Sequence, residues 1–163
     1  MSKRSLTPAT FFATVFGVGF VPKAPGTFGT LVAAAAYLLL SPLLSLPGSA
    51  WWYAGGLLAL SAVSVWLSSL AEKTLGHDAP QIVIDEVCGY FAALLLVPVH
   101  SWQVALYAFV LFRAFDIAKP WPINVSQKLP RGWGVVADDL LAGAFANIII
   151  QIMLKLAPGF FGA

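Results

Sequence analysis

Five long apolar runs, separated by short polar segments, organise this chain, and they cover residues 28–46, 51–71, 82–97, 102–117 and 138–156. A bilayer's hydrocarbon core is about 30 Å thick and takes roughly 17 to 25 helical residues to cross, so each run is a candidate span. Pro42 kinks or ends the first run early. The second is the cleanest, with Trp51, Trp52 and Tyr53 as an interfacial aromatic anchor. Only Pro98, Val99, His100 and Ser101 separate the third from the fourth, which predicts a tight helical hairpin. Both runs are near the lower length limit, so a shallow re-entrant hairpin is the alternative. The fifth run opens on Asp138 and Asp139 and stops before Pro158 and Gly159. The expected architecture is all-α: one domain over residues 1–163, an integral membrane bundle of about five short transmembrane or re-entrant helices.

Composition points the same way. The 163 residues are 60% hydrophobic and only 10% charged, whereas soluble domains carry about 25% charged residues. A net charge of +2 is too small to argue for nucleic acid, although Lys3 and Arg4 could rest on anionic headgroups. A single cysteine, Cys88, excludes an internal disulfide framework and a cysteine-based metal cluster. Charge is also unevenly distributed. Segments 1–27, 72–86 and 113–139 hold eight of the nine basic residues and all seven acids, while the linkers SPLLSLPGSA and VPVHS hold none. The positive-inside rule then places the charged segments in the cytoplasm, with five crossings.

The acids are Glu72, Asp78, Asp85, Glu86, Asp116, Asp138 and Asp139. The last five fall within or at the ends of apolar runs, where a charge is costly unless paired or bound to a cation. Capping a positive helix N-terminus accounts for one acid of each adjacent pair. It leaves the second unexplained, because neighbours on a helix point about 100° apart and repel. A hard divalent cation such as Mg²⁺, which takes carboxylate oxygens, is the economical remedy.

Two basic segments accompany the acids. GVGFVPKAPGTFGT (17–30) carries four glycines and Lys23 ahead of a helix expected to start near Thr27, and it reads equally as a phosphate cradle or as an ordinary proline-containing loop. It is not a GxxxxGK[ST] loop. In FRAFDIAKPWPIN (112–124), Arg113, Asp116 and Lys119 lie three apart on one helix face. That ridge is either an intrahelical ion pair or a grip on phosphate and metal together. His77 and His100 fall on opposite sides in this topology, which argues against a histidine triad or zinc site. DEVCGYFAALLL and DDLLAGAFANIII echo each other: Gly89 lies four after Asp85 and Gly143 four after Asp139. Close helix packing through small residues explains that echo better than duplication.

With GFVPKAPGTFGT, DEVCG, FRAFDIAKPWPI and GWGVVADDLLAGAFAN in this order, the chain resembles the phosphatidylglycerophosphatase A family over nearly its whole length. The resemblance implies a helical fold, a bacterial inner-membrane location and an active site facing the cytoplasm. It also implies Mg²⁺-dependent removal of the terminal phosphate from phosphatidylglycerol phosphate. Joined to the residue reading, it leads to a specific expectation. Asp85, Glu86, Asp138 and Asp139 hold one or two Mg²⁺, with Asp116 as a further ligand or as orienter of the basic residues. Lys23, Arg113 and Lys119 bind phosphate oxygens, and Thr27 with the backbone around Gly26 completes the cradle. Attack by metal-activated water and attack by an aspartate nucleophile both stay open. The partners expected are the phospholipid substrate and membrane lipid, not nucleic acid. The chief rival is a small transporter using intramembrane carboxylates for cations or protons, although acids confined to one side count against a conduction path.

Overall fold

The Thr7 hydroxyl accepts a 3.1 Å hydrogen bond from the Thr10 N–H and so caps a short helix, α1 (Pro8–Ala13). Pro8 occupies the first turn, where its missing N–H costs nothing. This is a computed structural model describing residues 7–161; Lys3 and Arg4 lie outside the described residues. Val15, Phe16 and Gly17, all with positive φ, then turn the chain into a 3-10 segment, Val18–Phe20.

Three helices are long and apolar enough to cross a membrane: α2 (Pro25–Leu44), α3 (Ser49–Leu75) and, further on, the last long helix. Pro25 starts α2 three residues before the apolar run. Pro42 lies in its final turn, so the helix stops soon after rather than kinking midway. Gly48 and Gly76, with φ of 80° and 105°, bracket α3. Trp51 and Trp52 remain 84% and 85% exposed at its start, as an interfacial anchor requires.

The hairpin differs from expectation. Its first arm, α4 (Ile84–Ala93), has only ten helical residues, about 15 Å of the roughly 30 Å needed. Residues 94–101 are irregular before α5 (Trp102–Ala118), which Ser101 caps through the Val104 N–H at 3.3 Å. The irregular stretch makes up the missing depth: Leu94, Leu96, Val97 and His100 share a cavity wall with Leu44, Leu46 and Ser49 of the α2–α3 turn. Non-helical backbone at this depth survives only if its polar groups are satisfied within protein. Asn147 Nδ2 donates to the carbonyls of Ala93 (3.0 Å) and Leu95 (2.8 Å), and the Tyr53 hydroxyl donates to Phe91 O at 2.7 Å.

After α5, Lys119 adopts a left-handed backbone and Pro120 ends the helix. A four-residue turn, α6 (Ile123–Ser126), leads into α7 (Gly132–Leu156). This last helix begins six residues before Asp138, so the acid pair sits almost two turns inside it and not at its mouth. Helix capping therefore explains neither member. The core of the bundle is α7 with α4 and α5 against it, where Tyr37, Tyr90, Phe112, Ala142, Ala146 and Ile150 are fully buried. Among the described residues there is no strand.

Candidate active site

Glycine brings the two acid pairs together. A Cβ on Gly143 would overlap the Gly89 carbonyl oxygen, and one on Gly89 would overlap Phe112 and crowd the Asp139 carbonyl. α4 and α7 thus cross with their backbones nearly touching, as small-residue packing permits. Each glycine lies one turn from its acid, so the crossing sets Asp85 and Asp139 side by side. One carboxylate oxygen from each of Asp85, Glu86 and Asp139 lies within 4.8 Å of the others. Asp85 and Asp139 are only 7% and 3% exposed.

Three like charges at such range in a buried site repel strongly, yet Asp85 Oδ1, Glu86 Oε2 and Asp139 Oδ2 have no hydrogen-bond partner. An orphaned buried carboxylate oxygen calls for a proton or a cation. An all-oxygen, anionic donor set fits a hard divalent ion such as Mg²⁺. Asp138 is placed differently from its neighbour. It is 2% exposed and turned to the ammonium of Lys119, with which it makes a close ion pair. Only its Oδ2 is engaged by Lys119, and its Oδ1 has no hydrogen-bond partner. The sequence expectation of Asp138 beside Asp85, Glu86 and Asp139 thus keeps one free oxygen, while the carboxylates within 4.8 Å of one another are Asp85, Glu86 and Asp139.

Asp116 organises the basic side. Its Oδ2 accepts from Arg113 Nη1 at 2.5 Å and its Oδ1 lies 4.0 Å from Lys119 Nζ. Arg113 Nη1 is 3.9 Å from Glu86 Oε1, and Arg113 Nε stays unpartnered. Two fixed cations therefore stand beside the carboxylate group, with donors to spare. Burial alone would lower the Lys119 ammonium, but the hydrogen bond and charge of Asp138, with Asp116 and Asp139, hold it above its ordinary value.

The 17–30 loop reaches the site through Gly26. A Cβ there would overlap the Glu86 carboxylate and come within 3.1 Å of Arg113 Nη1, so glycine is needed for close approach and not for an unusual φ. The Thr30 hydroxyl donates to Gly26 O at 2.8 Å and steadies the first turn of α2. Thr27 is half-buried beside it. Lys23 stays exposed and makes no ion pair among the described residues. Sequence reasoning missed Asn147, which holds the broken end of α4; the available signal was a pair of amides four apart, Asn147 and Gln151, in the middle of an apolar run. His77 pairs with Glu72 at 2.6 Å, whereas His100 meets the Tyr37 hydroxyl at 2.7 Å near the opposite end of the bundle.

Buried carboxylates with orphaned oxygens, two anchored cations and a glycine-walled approach, at one end of an apolar helical bundle, are the equipment of a phosphate-handling membrane enzyme. The family model described as Phosphatidylglycerophosphatase A matches residues 11–154, a span that includes every candidate residue from Lys23 to Asp139. The chain belongs to that family, and it is a phosphoric monoester hydrolase. It is 38% identical over 151 residues to "Phosphatidylglycerophosphatase A" of Haemophilus influenzae, covering 89% of this chain and 88% of that one. The protein of the same name from Escherichia coli is 34% identical over 150 residues, with 90% and 83% covered. "Putative phosphatidylinositol-3-phosphatase" of Bacteroides thetaiotaomicron is 36% identical over 155 residues, with 93% and 96% covered. No solved structure matches the chain.

Proposed function

We propose that the enzyme hydrolyses the terminal phosphate monoester of phosphatidylglycerol phosphate, giving phosphatidylglycerol and inorganic phosphate, with Mg²⁺ as cofactor. The reaction takes place at the cytoplasmic face of a bacterial inner membrane. The observation that carries this reading is the set of orphaned oxygens on Asp85, Glu86 and Asp139 beside the spare donors of Arg113 and Lys119. The names of the Haemophilus and Escherichia relatives support the substrate. The three carboxylates would hold the metal, which when bound would supply Lewis-acid polarisation of the phosphoryl oxygens and a more acidic water.

The protein's own groups do the rest. Arg113 and Lys119 bind the phosphoryl oxygens and offset the charge that builds up on them. Asp116 and Asp138 keep those cations extended toward the substrate. Gly26 lets the start of α2 pack directly against Glu86 and Arg113 and so holds both in place. Water oxygen bonds to phosphorus as the phosphorus–oxygen bond to the lipid glycerol breaks, and a cluster carboxylate oxygen takes the water proton. That proton then passes from the carboxylate to the leaving alkoxide oxygen, which stays with the lipid, whose acyl chains never leave the bilayer.

The test is phosphate release by purified protein in detergent micelles, with Mg²⁺, with excess chelator, and after Mg²⁺ is restored. Release from phosphatidylglycerol phosphate should stop with chelator and return with metal. Chelator-resistant release would remove the metal from the scheme. The name of the Bacteroides relative makes phosphatidylinositol 3-phosphate the comparison substrate, and faster release from it would reassign the headgroup.

A further inference from the structure

A second charged recess lies outside the carboxylate site, on the outer face of α3 where it meets the start of α7. Val65, Trp66 and Leu70 form its apolar wall, and Lys73, His77 and Arg131 form its rim, around a volume of about 670 Å³. We propose that this recess binds one bilayer phospholipid with an anionic headgroup, seated beside the enzyme as a bound lipid and not as substrate.

Four observations converge on that occupant. From Trp52 to Lys73 along α3 is about 32 Å at the rise of an α-helix, close to the hydrocarbon thickness of about 30 Å. With the exposed tryptophans at one interface, Lys73 lies at the headgroup level of the other. The wall below it is apolar, and Trp66 is 62% exposed there, so an acyl chain is the natural filling. The rim is basic and its one lining acid is already engaged: Glu72 accepts from the Asp78 N–H at 3.1 Å and meets His77 Nδ1 at 2.6 Å. Among the described residues, Lys73 and Arg131 have no carboxylate partner. Finally, the rim residue Arg131 stands at the N-cap position of the 25-residue helix α7, whose positive end adds to the pull on an anion. A zwitterionic headgroup would leave both cations without a net counter-charge. An anionic one matches them, with its chains along Val65 and Leu70.

Quenching of tryptophan fluorescence by lipids brominated on the acyl chain tests this in vesicles. The component reporting the recess is the part of the signal lost in Trp66→Phe. At equal mole fractions, brominated phosphatidylglycerol should quench that component several-fold more than brominated phosphatidylcholine. Lys73→Gln combined with Arg131→Gln should equalise the two lipids while phosphate release is unchanged. Raising salt should shrink the preference in the unmodified protein, a readout that does not depend on the charge-removing double variant. Equal quenching by both lipids in the unmodified protein, or a preference surviving in the double variant, would overturn the proposal. Because the signal is local to Trp66, lipid bound at the carboxylate site does not produce it, and the result stands apart from the choice of substrate.

Discussion

Asp138 and Asp139 are neighbours in sequence with different tasks, because adjacent helical side chains diverge by about 100°. Asp139 faces Asp85 and Glu86, whereas Asp138 faces Lys119. Asp139→Asn replaces a carboxylate by an amide of the same shape and removes one of the three clustered negative charges. Phosphate release should fall on the order of a hundredfold or more, the scale of losing a preorganised charge, with helicity unchanged. Asp138→Asn leaves the three-carboxylate group intact and only loosens Lys119. A loss on the order of tenfold is expected, from weaker positioning of one phosphate-binding cation. Steady-state kinetics on both variants checks the division; equal losses would show that the two acids share one role.

At the scale of elements, the crossing of α4 and α7 determines whether the site exists. Gly143 and Gly89 allow the two backbones to touch, and a side chain at either position must displace backbone and not a flexible tip. Gly143→Val should therefore destabilise the bundle by about 1–3 kcal/mol, the usual cost of overpacking, and should lower the thermal midpoint in detergent. It should also reduce activity beyond what the lost stability explains, by moving Asp139 away from Asp85. Val at exposed Gly55, where a Cβ meets nothing within 4 Å, is the control. An unchanged midpoint in Gly143→Val would mean that the helices separate without cost.

For the whole molecule, the consequence is a bundle with one charged end and one apolar end. The 94–101 turn lies with the α2–α3 turn, and the acids lie with the start of α2 and the end of α5. Single cysteines introduced at exposed Ser45 and Lys128, in a Cys88→Ala background, should report opposite compartments. A membrane-impermeant thiol reagent added to spheroplasts should label position 45 directly and position 128 only after permeabilisation. Labelling of both from outside would break the link between the charged end and the cytoplasm.

Much of this was legible along the chain. Apolar run length predicts α2, α3, α5 and α7 to within a few residues over most of their ends, because hydrophobicity is a local, additive property and the bilayer sets the length that must be covered. The segregation of charge marks which connections lie together. Glycines four residues after each acid signal a close helix crossing, and the acids themselves stand out as groups that lipid would not tolerate alone. The early start of α7 was hidden, since GWGVVA is too weakly patterned to extend a run, and so the acid pair was expected at a helix mouth. The short α4 was hidden as well, because LLLV continues the apolar run while Asn147, 52 residues or more away, supplies the hydrogen bonds that let the helix end. Composition and order alone thus determine a helical membrane protein with acids and bases at one end. Only the tertiary structure decides that Asp139 joins Asp85 and Glu86, that Asp138 is given to Lys119, and that Gly26 walls the site. Those assignments depend on how two helices cross at backbone contact, and a distance between residues far apart in the chain is not a property of any one stretch of it.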